Sequence, residues 1–227
     1  MLALGLNDGQ VVVVDETTGE EKWAVQAHPQ NSLVHVAMPP NGRFVASVGN
    51  IIIEDDDIFW KIMDPDLVFD CKIWDATSGE LHRALATHDG TGCCICEVDF
   101  ALTGRRVLDD RCPVIAHTTR ILAVAFSPCG QRLATRDSDG AVIMWDTWTG
   151  EAERRMHGRA GFARAIAFTA DGARLASGSG DSGVDVFDAM TGELLLTIEE
   201  GEEEEQLISV SFSPTAVSML AINHNTR

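Results

Sequence analysis

The sequence predicts an all-β protein built from repeated units of four strands. The chain has 227 residues, of which 45% are hydrophobic, enough for one core or for several small stacked units. Its apolar residues come in short runs that 20 glycines help to separate, and these runs are too short for membrane-spanning helices. Two sequence blocks also recur along the chain, and both have the residue types of strands joined by tight turns.

The first recurring block has the pattern D-x-x-x-G-E and occurs four times, beginning at Asp15, Asp75, Asp146 and Asp188. Each copy follows a run of β-branched or aromatic residues, which favours a strand. Within the block, the aspartate side chain can accept backbone N–H bonds and the glycine can adopt a positive φ. We therefore predict a hairpin turn at each of the four copies.

The second block indicates a strand, a turn and another strand. Its copies begin at Val34, Glu97, Ala123, Ala165 and Ser209. In several copies the first strand alternates large and small residues, as Phe126 and Ala125 illustrate, so it has one bulky face and one flat face. Such a strand fits between two closely stacked sheets. Together the two blocks give four strands in every ~40–45 residues.

Units of this length and strand content resemble the blades of the WD40-repeat family, with the WD dipeptide at Trp145 and Asp146. The resemblance implies a β-propeller of about five blades, either complete or part of a seven-bladed propeller. It implies one domain over residues 1–227, divided into these approximate units: 1–28, 29–88, 89–117, 118–157 and 158–200, with 206–227 as a closing or partial blade.

The resemblance also implies a buried hydrogen-bond network inside each blade. In the blade over 118–157 the family's network maps onto four residues: His117, Thr135, Asp139 and Trp145. In the next blade three residues match: His157, Ser177 and Asp181. Phe187 replaces the tryptophan there, so that network loses its indole donor. The second blade matches at three positions: His28, Ser47 and Trp74.

Two departures from the repeat lie in neighbouring units. The distance from Asp15 to Asp75 exceeds that from Asp146 to Asp188, and the excess is an apolar and acidic insertion over residues 51–69. The unit over 89–117 is too short, because its third strand and turn are missing after Leu108. A fragment of a larger propeller and a faulty gene model both remain open as explanations.

Charge and composition exclude several kinds of partner. The formal net charge of −18 would repel nucleic acid and anionic membranes, and the 17 lysines and arginines form no basic patch. The N-terminal segment has no basic region and reaches polar residues at Asn7 and Asp8, unlike a secretory signal. We therefore expect an intracellular protein, cytoplasmic or nuclear, with its six cysteines reduced.

The sequence predicts no catalytic residue, cofactor or metal site. Cys93, Cys94 and Cys96 have the wrong spacing for zinc, because adjacent residues of a strand point to opposite faces. The carboxylates of the insertion lack the DxDxDG spacing of a calcium loop. His35 and His82 have no serine or cysteine arrangement that would form a triad. Histidines that recur once per unit, such as His117 and His157, favour a structural role.

One alternative comes from the N-terminal unit. Its sequence DGQVVVVDETTGEEKW is similar to the repeats of quinoprotein-like propellers, including the tryptophan at Trp23. That family includes dehydrogenases, but the similarity is confined to this unit.

The resemblance implies a non-catalytic scaffold that binds other proteins. A regulatory propeller fragment of a larger enzyme or signalling protein is the alternative. Because strands of a blade are antiparallel, we expect the insertion and the acidic run near residue 200 on one face. That face would bind a basic peptide or a basic protein surface. Its candidate contact residues are Asp55, Asp56, Asp57, Phe59, Trp60, Glu202, Glu203, Glu204 and Glu205.

Overall fold

The structure is a computed structural model. It describes residues 1–30, 32–51, 69–89, 93–95, 117, 119, 121–158, 165–179, 183–199, 206–212 and 219–224. The chain divides into two compact units, one of Met1–Met38 with Gly42–Arg120 and one of Pro39–Asn41 with Ile121–Arg227.

The described residues are all-β and contain no helix. The first unit has eight strands: β1 (Leu2–Gly5), β2 (Gln10–Val14), β3 (Glu21–Gln26), β4 (Ser32–Ala37), β5 (Phe44–Ile51), β6 (Phe69–Asp75), β7 (Leu81–Asp89) and β8 (Cys93–Ile95). The second unit has ten strands: β9 (Ile121–Phe126), β10 (Arg132–Asp137), β11 (Ala141–Asp146), β12 (Ala152–His157), β13 (Ile166–Phe168), β14 (Arg174–Ser179), β15 (Gly183–Asp188), β16 (Leu194–Glu199), β17 (Gln206–Phe212) and β18 (Met219–His224).

The first unit contains two antiparallel sheets. One has the order β1-β2-β3, and the other has the order β4-β5-β6-β7-β8. Buried Val11 and Val13 of the first sheet share a core with Val45 and Trp74 of the second. The sheets approach closely at Gly5, where a Cβ would overlap the backbone carbonyl of Val34.

The second unit contains two four-stranded antiparallel sheets, β9 to β12 and β13 to β16, and a pair of strands, β17 and β18. Met144 and Met156 of the first sheet pack against Phe187 of the second. Val186 of the second sheet packs in turn against Val210 of β17. Four-stranded antiparallel sheets of this kind are the blades of WD40 propellers, as the sequence predicts.

Two segments show how the shorter predicted units are organised. Residues 93–95, which fall in the predicted unit over 89–117, form β8 and pair with β7 as a fifth strand of the preceding sheet. The segment predicted as a closing or partial blade, 206–227, contains β17 and β18, which pair with each other.

The four predicted hairpin turns are confirmed. In each one the aspartate carboxylate accepts N–H bonds of 2.7–3.3 Å from the residues two and three positions on. The glycine N–H donates to the aspartate carbonyl at 2.8 or 2.9 Å, and the glycine φ lies between 73° and 78°. These N–H bonds hold the pKa of Asp75 and Asp188 below the usual range, because they stabilise the ionised carboxylate.

Candidate protein-interaction site

The second sheet of the first unit contains a buried network of three side chains. The indole Nε1 of Trp74 donates to the hydroxyl of Ser47 at 2.9 Å, and Nε2 of His28 lies 2.9 Å from the same hydroxyl. All three residues are buried. The structure therefore brings together the three residues that match the family's network in this blade.

The same pairing occurs in the sheet of β9 to β12. The indole Nε1 of Trp145 donates to the hydroxyl of Thr135 at 2.7 Å, and both residues are buried. His117 is also buried but falls in the other unit. Its membership of this network remains a prediction.

Asp139, the predicted carboxylate of that network, is exposed. The buried carboxylate in this turn belongs to Asp137, which accepts N–H bonds from Asp139 at 3.1 Å and from Ala141 at 2.8 Å. Its neighbour Arg136 is buried too, and the positive charge of Arg136 compensates the negative charge of the buried carboxylate. The prediction of a buried Asp139 was therefore wrong.

His157 is exposed as well, although the resemblance predicts it inside a network. It ends β12 and pairs with Ala141, just as Gln26 ends β3 and pairs with Gln10. His157 thus occupies the place of Gln26 and not that of His28, which follows β3 and points inward. The resemblance therefore placed the network position two residues too early, on the last residue of β12 instead of after that strand.

Ser177 takes part in a contact between sheets. Its hydroxyl accepts a hydrogen bond of 3.0 Å from Nε of Arg136, and both residues are buried. Burial lowers the pKa of Arg136, while the carboxylates of Asp137 and Asp185 act to raise it. Asp185 is itself buried and accepts a bond of 2.8 Å from Thr197. Sequence reasoning missed this charged cluster.

The two other positions of this predicted network have different outcomes. Asp181 lies outside the described residues. Phe187 is fully buried and packs in the core shared with Met144 and Met156. The ring of phenylalanine has no hydrogen-bond donor, so it can be buried in this apolar cluster without a polar partner.

Trp23, on which the quinoprotein resemblance depends, has a structural role. Its indole Nε1 donates to the carbonyl of Ala76 at 2.9 Å, and its ring lies against Gly79, where a Cβ would come within 2.8 Å of the ring. Arg154 of β12 occupies the same register position, lies against Gly192 and donates to the carbonyl of Thr191 at 2.7 Å. This position therefore joins one sheet to the turn of the next.

All nine candidate contact residues lie in two connections outside the described residues, 52–68 and 200–205. The first connection leaves β5 at Ile51 and returns at Phe69, so it joins the second and third strands of its sheet, as the sequence predicts. The second leaves β16 at Glu199 and enters β17 at Gln206, so it joins two sheets. Their position on one shared face remains a prediction.

The cysteines show no arrangement typical of a metal centre within the described part of the chain. No group of three histidine, cysteine or acidic residues there is placed to hold a metal ion. Cys93 and Cys94 belong to β8, while Cys96 and Cys112 lie outside the described residues. Cys71 is buried, and Cys129 is exposed. A hydrogen bond with the Ser127 hydroxyl lowers the pKa of Cys129.

The comparisons with known proteins agree with this architecture. The family model described as "WD domain, G-beta repeat" matches residues 111–146 and 150–188. A search of the curated proteins found no match. Among the described residues, no helix is long and apolar enough to cross a membrane. WD40 repeats generally mediate interactions between proteins and are typically non-catalytic. The two matched repeats, together with the four-stranded sheets, support the assignment of the chain to the WD40-repeat family.

Proposed function

We propose that this protein is a non-catalytic scaffold whose acidic connections bind basic segments of other proteins. The observation that carries the proposal is the way in which the two connections are anchored. Each one begins and ends on a strand of an antiparallel sheet, and the sheet that holds the insertion contains the buried network of Trp74 and Ser47. A charged loop on a rigid sheet is the usual construction of a binding surface.

The chemistry of the connections selects the partner. The insertion over 51–69 combines carboxylates with aromatic residues, and the run over 199–205 is almost entirely glutamate. Carboxylates attract lysine and arginine, and aromatic anchors such as Phe59 and Trp60 supply the apolar contact that dominates binding energies. A basic peptide with one or more apolar residues therefore fits these connections best.

The charge of the whole protein supports the same partner. The formal net charge is −18, so a basic protein is attracted during diffusion and an acidic one is repelled. Interactions between exposed charges decay over about 8 Å at physiological salt. We therefore expect partner affinity to fall as the salt concentration rises.

A pull-down with two variants tests the proposal. One variant lacks residues 51–69, and the other has Glu202, Glu203, Glu204 and Glu205 changed to serine. We expect each variant to retain fewer basic partners than the wild type, and the difference to shrink in high salt. If both variants retain the same partners undiminished in low and high salt, the acidic connections do not bind partners.

A further inference from the structure

The first strand, β1, has exposed leucines at positions that are buried in the other sheets. Leu2 is 51% exposed and Leu4 is 39% exposed. Leu2 pairs with the residue directly before the hairpin aspartate, and Leu4 pairs two residues further back. In the other sheets the same register positions hold these buried residues: Val45, Leu133 and Leu175 for Leu2, and Ser47, Thr135 and Ser177 for Leu4. This face of the first sheet is therefore open where its equivalents are covered.

The backbone edge of β1 is open at the same place. Within the described residues β1 pairs with β2 alone, whereas its equivalents β5, β10 and β14 each pair with a further strand on the other side. In β10 and β14 this pairing runs over the register positions of Leu2, Ala3 and Leu4. The N–H of Gly178, at the register position of Gly5, donates to the carbonyl of Ala165 at 2.9 Å. The open stretch of β1 is thus the stretch that a neighbouring strand covers in other sheets.

The strands that lie in this place share one pattern of side-chain size. Each has an alanine between two large apolar residues, Val124–Phe126 in β9 and Ile166–Phe168 in β13. The central alanine pairs with Ala134 in one sheet and with Ala176 in the other. The same register position in β1 is Ala3, which packs against the core shared with the second sheet. An occupant of this edge therefore needs a small residue opposite Ala3 and a large apolar residue on each side of it.

The charges around β1 favour an uncharged occupant. Residues 2–6 contain no charged side chain, although the formal net charge of the chain is −18. The N-terminal ammonium group of Met1 lies 3.1 Å from a carboxylate oxygen of Glu16, so this positive charge is already compensated. A charged residue in the centre of the occupant would lose hydration against the leucines and gain no opposite charge. A segment with an apolar centre fits best.

We propose that β1 binds an extended, uncharged segment of a partner protein along the open edge Leu2–Gly5. The segment has a small residue between two large apolar ones, and it pairs with β1 as β9 pairs with β10. Main-chain hydrogen bonds supply the pairing, while the leucines and Ala3 select the sizes of the side chains. This edge includes neither acidic connection, so the interaction goes beyond the proposed function and does not depend on it.

The test uses the full chain and a fluorescent peptide with the sequence of residues 120–128, RILAVAFSP, which contains β9. Binding is followed by fluorescence anisotropy, and protection of the Gly5 amide by hydrogen exchange in NMR spectra. The variant L2T/L4T should bind the peptide at least about tenfold more weakly, because it loses the apolar contacts of both leucines. The control L81T/L194T replaces two leucines that are 42% and 54% exposed on other strands, and it should bind like the wild type.

Two further samples test the pairing itself. A peptide with Ala125→Leu places a large side chain opposite Ala3, and we expect it to bind weakly. Changing Glu202, Glu203, Glu204 and Glu205 to serine should leave binding of the original peptide unchanged, so a failure of this proposal is distinguishable from a failure of the proposed function.

Three results would overturn the proposal. The first is binding of L2T/L4T, or of the Ala125→Leu peptide, that equals binding of the original pair. The second is a Gly5 amide that is as well protected in the free chain as in the complex, because the chain itself would then cover the edge. The third is self-association that L2T/L4T abolishes, since the occupant would then be a second copy.

Discussion

The indole nitrogen of Trp74 donates a hydrogen bond of 2.9 Å to the hydroxyl of Ser47 in the neighbouring strand. The imidazole of His28, from the segment that leads into this sheet, meets the same oxygen. The hydroxyl of Ser47 is thus a hydrogen-bond partner for two large buried side chains. It also links the sheet to the segment that precedes it in the chain.

Ser47→Ala should therefore destabilise the protein by about 1–3 kcal/mol, because it leaves the indole N–H of Trp74 and the ring of His28 without this partner. Ser32→Ala is the matched control. Ser32 is equally buried, but its hydroxyl has no hydrogen-bond partner among the described residues. Urea unfolding should rank Ser47→Ala well below Ser32→Ala in stability. Equal stabilities would show that the network does not contribute.

The buried cluster around Arg136 gives a second prediction. Arg136→Met should cost about 3–5 kcal/mol, since the carboxylates of Asp137 and Asp185 would stay buried without the guanidinium. Adding Asp185→Asn to this variant should restore part of the loss. A double-mutant cycle by urea unfolding measures the coupling. Arg132→Met is the control, because Arg132 forms a partly exposed ion pair with Glu153 at 2.9 Å. Losing this pair should lower the free energy of unfolding by at most about 1 kcal/mol. Strict additivity would contradict a charge-coupled cluster.

The turn glycines test the contact between sheets. Gly79 and Gly19 have the same φ of 73°, so alanine at either position has the same backbone strain of roughly 1–2 kcal/mol. A Cβ on Gly79 would come within 2.8 Å of the Trp23 ring, whereas one on Gly19 meets nothing within 4 Å. Gly79→Ala should therefore lower the melting temperature more than Gly19→Ala. The reverse order would mean that Trp23 does not pack on this turn.

Acid should weaken the turn at Asp75. The N–H bonds from Ser78 and Thr77 lower the pKa of this carboxyl from its usual value of 3.8. A lowered pKa means that the ionised form stabilises the fold above pH 3.8 and that this contribution is lost as the pH falls through the folded-state pKa. The gap in melting temperature between wild type and Asp75→Asn should thus narrow below pH 3.8. Glu80→Gln removes an equal charge from the same turn, and a gap that narrows identically for Glu80→Gln would refute the assignment.

The repeated blocks predict the four hairpin turns because each turn depends on local chemistry. An aspartate and a glycine within a few residues of each other determine the turn, independently of the tertiary contacts around it. The match at His28, Ser47 and Trp74 has the same origin, since those residues recur at fixed positions within one unit.

The two wrong predictions both depend on contacts across the structure. Asp137 and Asp139 lie two residues apart, but Asp137 is buried next to the buried Arg136 whereas Asp139 is exposed. His157 has the right residue type, but its pairing with Ala141 places it at the end of an outer strand. Similarly, the proximity of Arg136 to Ser177 and Asp185 joins two sheets, and no sequence spacing indicates it.

Charge reversal tests most directly whether the acidic connections bind basic partners. A variant with Glu202, Glu203, Glu204 and Glu205 changed to lysine is compared with one in which four exposed glutamates in or beside the hairpin turns are changed to lysine, namely Glu20, Glu21, Glu80 and Glu151. Both variants have the same net charge, so only the location differs. Binding of a lysine-rich peptide containing a tryptophan is measured by calorimetry at low salt.

We expect the reversal at 202–205 to weaken binding by at least about tenfold, as a loss of roughly 1.4 kcal/mol would do, while the reversal at the turns has a smaller effect. If the two variants bind the peptide equally well, net charge alone attracts the peptide, and the acidic connection is not a binding site.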